Sequence, residues 1–210
     1  GAVVPRWAES GGKDSLFIRF NNKKNKTRIL KETSSNIFRR GGADKLLIVN
    51  SKNSDLIGKN LLELSIEFNK PPEEVVYRLI KSENIGVASF NMIEEDITNF
   101  MKQSRVFTGS DGNTGHPRKY GSFPKKYSEY VVEKKILDLS EFITNSTSKP
   151  AEFFNVNKRG KIKQGYYADI IIFDPLYFKD KADYSNAFTY SEGLIYSIIN
   201  GELIIDKNNF

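Results

Sequence analysis

Thr108-Gly109-Ser110-Asp111-Gly112, followed by His116-Pro117-Arg118, brings a carboxylate, the chain's one histidine and an arginine into a short stretch. The short apolar run Val106-Phe107 ends there, and Asp111 sits among glycines. A strand-like run, a glycine that permits tight backbone geometry and a carboxylate at the run's C-terminal end are how α/β barrels place a catalytic acid. The same residues also read as an ordinary turn, because Ser-Asp-Gly is common in loops and the aspartate can simply cap one.

The elements that would position this stretch alternate. Leu46-Leu47-Ile48-Val49 is a continuous apolar run of the kind that suits a strand covered on both faces. Asn60 is the expected N-cap of a helix whose inner face carries Leu61, Leu64 and Phe68. Pro71-Pro72-Glu73-Glu74 starts another, with proline in the first turn and acids at the positive end of the dipole. A second strand is expected over 85–90, a helix over 92–101 and a third strand over 106–108. Strands alternating with helices imply β-α-β units and a parallel sheet or barrel segment. Residues 14–40 read as two helices. Residues 110–126, rich in Gly, Pro and Ser, read as a long loop, and helices are expected over 127–136, 138–146 and 148–154. Near residue 155 the character changes. Ile170 to Phe173 and the runs flanking Asn200-Gly201 read as antiparallel strands, Asn-Gly between apolar runs being the strongest short hairpin signal.

Composition narrows the classes. With 39% hydrophobic residues, 15 Phe and 10 Tyr in 210 residues, the chain has material for a core. No apolar run approaches the about 20 residues of a membrane span, so no membrane partner is expected. The absence of cysteine excludes disulfides and thiolate metal sites, and it fits a cytoplasmic protein. The 32 basic against 26 acidic residues leave a net charge of +6. The basic residues are scattered in pairs such as Lys23-Lys24, Arg39-Arg40 and Lys125-Lys126, each read as a solvated face, so no nucleic acid is expected either.

Two sets of motifs resemble a known family. Arg159-Gly160-Lys161-Ile162, Gly165 and Ala168-Asp169-Ile170-Ile171-Ile172-Phe173-Asp174, closed by Ile198-Ile199-Asn200-Gly201-Glu202, are similar to the C-terminal signature of the amidohydrolase superfamily. Pro5-Arg6-Trp7-Ala8, Gly11-Gly12, Gly58-Lys59-Asn60-Leu61, Glu94-Glu95-Asp96, Gly109-Ser110-Asp111-Gly112 and His116-Pro117-Arg118 with Gly121, Phe123 and Pro124 resemble the N-acyl-D-amino-acid deacylases (D-aminoacylases). The resemblance implies the last part of a TIM-like (β/α) barrel over residues 1–155 and the C-terminal strands of a small β-sandwich over 156–210. It implies that Asp111 is the general base and then acid of a zinc-dependent amide hydrolysis. Arg118 becomes the residue for the substrate carboxylate, His116 a loop-ordering or substrate contact, and Met92 and Ser89 positions that shape the side-chain pocket. Ser89 stands where some members carry an aromatic residue. The bland alternatives are a surface cation for Arg118, a loop histidine for His116 and a core residue for Met92.

The same resemblance exposes what is lacking. A catalytic zinc needs about three ligands from His, Cys or acidic groups. The family draws them from a His-X-His pair, a bridging cysteine and two later histidines, whereas this chain has one histidine and no cysteine. The expectation is therefore an incomplete α/β barrel: a C-terminal portion of a hydrolase of N-acyl-D-amino acids, inactive by itself and with no zinc bound to this chain alone. The start, with no methionine before Val3-Val4-Pro5, reads as a cut inside a longer sequence. Association with the missing N-terminal portion, or self-association, is expected because Leu46 to Val49 would have no strand on one side. The alternative is a non-catalytic interaction module from a split or decayed deacylase gene.

Overall fold

The computed structural model describes residues 3–112 and 115–207. The chain divides into two compact units, Gly1–Asn91 and Met92–Phe210. The change of character near residue 155 lies inside the second.

The first unit is built on helices α1 (Arg6–Glu9), α2 (Gly12–Asn21) and α3 (Lys23–Arg39), then strand β1 (Leu46–Asn50), helices α4 (Leu61–Glu67) and α5 (Pro72–Ser82), and strand β2 (Gly86–Ser89). Four-residue spacing buries Ile29, Thr33 and Ile37 along one face of α3. The Thr33 hydroxyl meets the Tyr77 hydroxyl of α5 at 3.1 Å, and burial pushes the Tyr77 phenol up to about 12. Leu64 of α4 and Val75 of α5 are wholly enclosed in the same core. Each such side chain contributes about 1.5–3 kcal/mol over its exposed state. Asn60 caps α4 as expected. Its side chain accepts from Glu63 N at 2.9 Å, and the Glu63 carboxylate accepts from Asn60 N at 2.7 Å. Pro72 opens α5 with Glu73 and Glu74 in its first turn.

Strands β1 and β2 form where the apolar runs lie, but they pair antiparallel, with Leu46 opposite Ser89 and Ile48 opposite Val87. The parallel expectation fails because the connection holds two helices, α4 and α5, packed on each other. A single crossover helix returns the chain for parallel pairing, and a second adds another reversal. The other edge of β1 is partly filled too. Ile48 N donates to Lys59 O at 2.9 Å and Gly58 N donates to Ile48 O at 2.9 Å, with Leu47 bridging Asn60. As expected, no strand among the described residues lies on that side of Leu46 to Val49, and the backbone just before α4 covers part of the edge.

The second unit contains α6 (Glu94–Met101), α7 (Arg118–Lys125), a π-helix (Lys126–Glu133), α8 (Leu139–Ser146), α9 (Ser148–Phe153) and strands β3 (Ile170–Phe173), β4 (Leu194–Ile199) and β5 (Glu202–Ile205). Its core is an aromatic cluster of Tyr127, Phe142 and Phe178, with Phe173 and Leu194 against it. Helix α7 begins inside the stretch expected to be a loop. Pro124 lies within it and has no N–H to give to the Tyr120 carbonyl. The Ser191 hydroxyl satisfies that carbonyl instead, at 2.6 Å, and the winding loosens to the π-helix two residues later. The expected third strand over 106–108 is irregular, since no strand among the described residues pairs with it.

The antiparallel sheet runs β3-β4-β5. Asn200 and Gly201, at φ 52° and 85°, make the tight β4–β5 turn in the geometry that two positive φ angles require. The Asp169 carboxylate accepts from Asn200 N at 2.9 Å, Arg159 donates to Asn200 Oδ1 at 2.6 Å, and Arg159 also pairs with Asp169. The residues of the C-terminal signature therefore meet in one clamp. No helix among the described residues is long and apolar enough to cross a membrane.

Candidate functional site

Asp111 lies on the irregular segment between α6 and α7, with its backbone at φ 43°. That left-handed conformation is uncommon outside glycine, although aspartate adopts it more readily than most. Arg118, the first residue of α7, holds Asp111 in two ways. Its Nη2 pairs with Asp111 Oδ2 at 2.7 Å, and its Nε donates to Asp111 O at 2.8 Å. The Asp111 side chain is 87% exposed and that of Arg118 38%. An ion pair so open to water contributes about 0.2–1 kcal/mol, so it orients the loop more than it stabilises the fold.

His116 joins the same turn. Arg118 N donates to its Nδ1 at 3.2 Å, which makes Nδ1 an acceptor and places the proton of the neutral ring on Nε2. The ring packs edge-on against Tyr184, with centroids 5.1 Å apart. Burial lowers the imidazole's pKa, the Arg118 charge lowers it further, and the Asp111 carboxylate opposes both. Asp111, His116 and Arg118 are thus brought together by local chain geometry.

The other two positions lie on other segments of the chain. Met92 lies exposed in the segment before α6, which does not support a core role. Ser89 ends β2 in the first unit, and its hydroxyl is enclosed with no hydrogen-bond partner.

Lys126 is a residue that sequence reasoning placed wrongly. The pair Lys125-Lys126 reads as a solvated face, yet Lys126 is only 6% exposed. Its Nζ donates to Thr108 Oγ1 at 2.6 Å, fastening the π-helix to the start of the Asp111 stretch. Burial alone lowers its pKa. The available signal was its place beside Tyr127 and four residues before Tyr130, both buried.

The sequence model of the amidohydrolase family matches residues 49–204. The chain belongs to the amidohydrolase family. An N-acyl-D-aspartate deacylase of Alcaligenes xylosoxydans xylosoxydans is 29% identical over 169 residues, covering 78% of this chain and 33% of its own length. A D-aminoacylase of the same organism is 28% identical over 160 residues, covering 74% and 32%. The solved N-acyl-D-glutamate deacylase of Bordetella bronchiseptica, complexed with zinc and a phosphonate that mimics the tetrahedral intermediate, aligns at TM-score 0.72. It covers 81% of this chain and 36% of its own at 24% identity, a likeness of fold. A crystal structure of D-aminoacylase aligns at 0.71 and 28% identity over 79% of this chain and 35% of its own. This amidohydrolase chain spans about a third of the length of these relatives.

The family's metal does not fit the residues present. A zinc centre needs converging donors, and among the described residues no three of His, Cys, Asp or Glu converge to hold an ion. With one histidine and no cysteine in the whole chain, its composition offers one imidazole ligand and no thiolate.

Proposed function

We propose that this chain supplies the C-terminal share of a hydrolase that cleaves the amide bond of N-acyl-D-amino acids, with the metal-binding share contributed from outside these 210 residues. In this reading residues 1–155 belong to the barrel and 156–210 to the β-sandwich. The observation that carries it is the exposed Asp111 carboxylate, held on a short turn by Arg118 Nη2 at 2.7 Å, in a chain related to N-acyl-D-amino-acid deacylases.

A solvent-open carboxylate suits proton transfer in both directions. Asp111 takes a proton from the attacking water and returns it to the amide nitrogen as the amine leaves. Arg118 is the natural grip for the substrate's own carboxylate, because its guanidinium already binds a carboxylate oxygen in this structure. Neutral His116 keeps the turn in place through Arg118 N. Met92 and Ser89 contribute to the side-chain pocket once the barrel is whole. No step is assigned to zinc, because this chain does not hold its ligands.

The lack of a donor cluster among the described residues also favours a second reading, a non-catalytic interaction module. One experiment separates the two. The purified chain with zinc is assayed on N-acetyl-D-methionine and N-acetyl-D-aspartate, alone and co-purified with the N-terminal two-thirds of a D-aminoacylase. The chain alone is expected to be inactive, and the pair active and silenced by Asp111→Asn. Binding of the two pieces without turnover favours the module. Turnover by the chain alone, lost on Asp111→Asn, overturns the incompleteness.

A further inference from the structure

The first unit holds an arginine-lined cleft that the deacylase reading does not use. It has a volume of about 670 Å³ and is walled by Val4, Pro5, Trp7 and three guanidinium-bearing residues, Arg6, Arg39 and Arg40. The size falls in the range of small-molecule sites, about 300–1,000 Å³.

The arginines come from two elements tied together. Glu32, Asn36, Arg39 and Arg40 share a face of α3 and its C-terminal end, at the four-residue spacing of a helix. Asn36 Nδ2 donates to Val3 O at 2.8 Å, which anchors the segment carrying Arg6 and Trp7 to that face. Arg39 donates to Asn36 Oδ1 and so is held toward the same side. The one acid in the wall is already committed. Glu32 accepts from Trp7 Nε1 at 2.6 Å and pairs with Arg28 at 2.7 Å, and these contacts lower its carboxyl pKa. Arg6 and Arg39 pair with no carboxylate among the described residues. Arg6 and Arg39 beside one neutralised acid leave a local positive excess next to an apolar wall. Guanidinium forks match the oxygens of phosphate, and a phosphate monoester carries about −1.5 to −2 charge at pH 7.

We propose that this cleft binds a small phosphate monoester, its dianionic head held by Arg6 and Arg39 and its apolar body against Val4, Pro5 and Trp7.

Trp7 is the chain's only tryptophan, so its fluorescence reports on this cleft alone. The full chain is titrated with butyl phosphate at constant ionic strength, with chloride and succinate as competing anion classes and a short single-stranded RNA as a polymeric one. A saturable change with butyl phosphate is expected, with the apparent Kd raised about tenfold in Arg6→Gln and in Arg39→Gln, the weight of one charge-assisted contact. Both arginines are exposed, so circular dichroism melts are expected to show the variants folded. Lys81→Gln removes an equal charge elsewhere in the unit and should leave Kd unchanged. The proposal is overturned by no saturation, by an equal loss in Lys81→Gln, or by chloride reproducing the signal. It is equally overturned by succinate or RNA binding more tightly than butyl phosphate.

Discussion

The two units divide the work of folding and of chemistry unevenly. The first encloses a continuous aliphatic core, with Leu16, Ile29, Leu64 and Val75 at most 1% exposed. The second relies on a small aromatic cluster and leaves Ile171, Ile172, Leu203 and Ile204 roughly half exposed on its sheet. Yet the second carries Asp111, Arg118 and His116, and holds its turns with polar devices: the Arg159 clamp, the Ser191 hydroxyl on Tyr120 O, and Lys134 shared between Glu94 and Glu129. Stability in the first unit comes from burial. In the second, polar contacts, most of them between segments distant in sequence, set the shape where burial is thin, and that is also where an exposed carboxylate is held.

Substitutions in matched positions can break this contrast. The largest effect is expected for Leu64→Ala, which empties a site of no exposure in the first unit and should cost about 2–5 kcal/mol in urea unfolding. If it costs less than the aromatic truncation Phe142→Ala in the second unit, the assignment of the stronger core is wrong. Next is Gly193→Ala in the second unit. Gly193 has φ 82°, and an added Cβ would lie 2.3 Å from Phe178 N, so a loss of about 1–3 kcal/mol is expected. A neutral result would show that the aromatic cluster yields easily. The capping boxes at Asn60 and Asp138 are the same device in the two units. Alanine at either should cost about 1 kcal/mol, and unequal losses would locate a difference outside the cores.

The smallest effects belong to the Asp111 turn. Arg118→Ala should change stability by no more than about 1 kcal/mol, because its partner is open to water. His116 offers a pH test. Its pKa is below the ordinary 6.5 when folded, so the unfolded chain binds the extra proton first. Stability is therefore full above 6.5 and falls as pH drops toward the folded value. As the chain's one histidine, His116 gives a proton NMR titration free of overlap with other histidines. Its midpoint should lie below 6.5 and rise in Arg118→Gln, which removes a nearby positive charge.

Much of this was legible locally. The Asn60 cap, the Pro72 helix start and the Asn200-Gly201 turn depend on residues within a few positions of one another, and each forms as its sequence implies. The contacts among Asp111, His116 and Arg118 likewise join residues no more than seven positions apart. Strand direction was not. The apolar runs at Leu46 and Gly86 show that strands form there, but direction depends on how many helices the connection packs between them. The expected strand over 106–108 failed for want of a ladder partner, which no local run reveals.

By itself, the sequence determined the family, the caps and turns, the acid-bearing turn, and the want of zinc ligands. These follow from residue identity and short spacing, and composition alone rules out a cysteine ligand or a second histidine. Only the tertiary structure decided that β1 and β2 run antiparallel, that Lys126 is buried on Thr108, and that Arg6 and Arg39 face one cleft. Each of these depends on segments distant in sequence sharing a surface. Burial and charge density belong to that packing, and no single stretch of chain contains them.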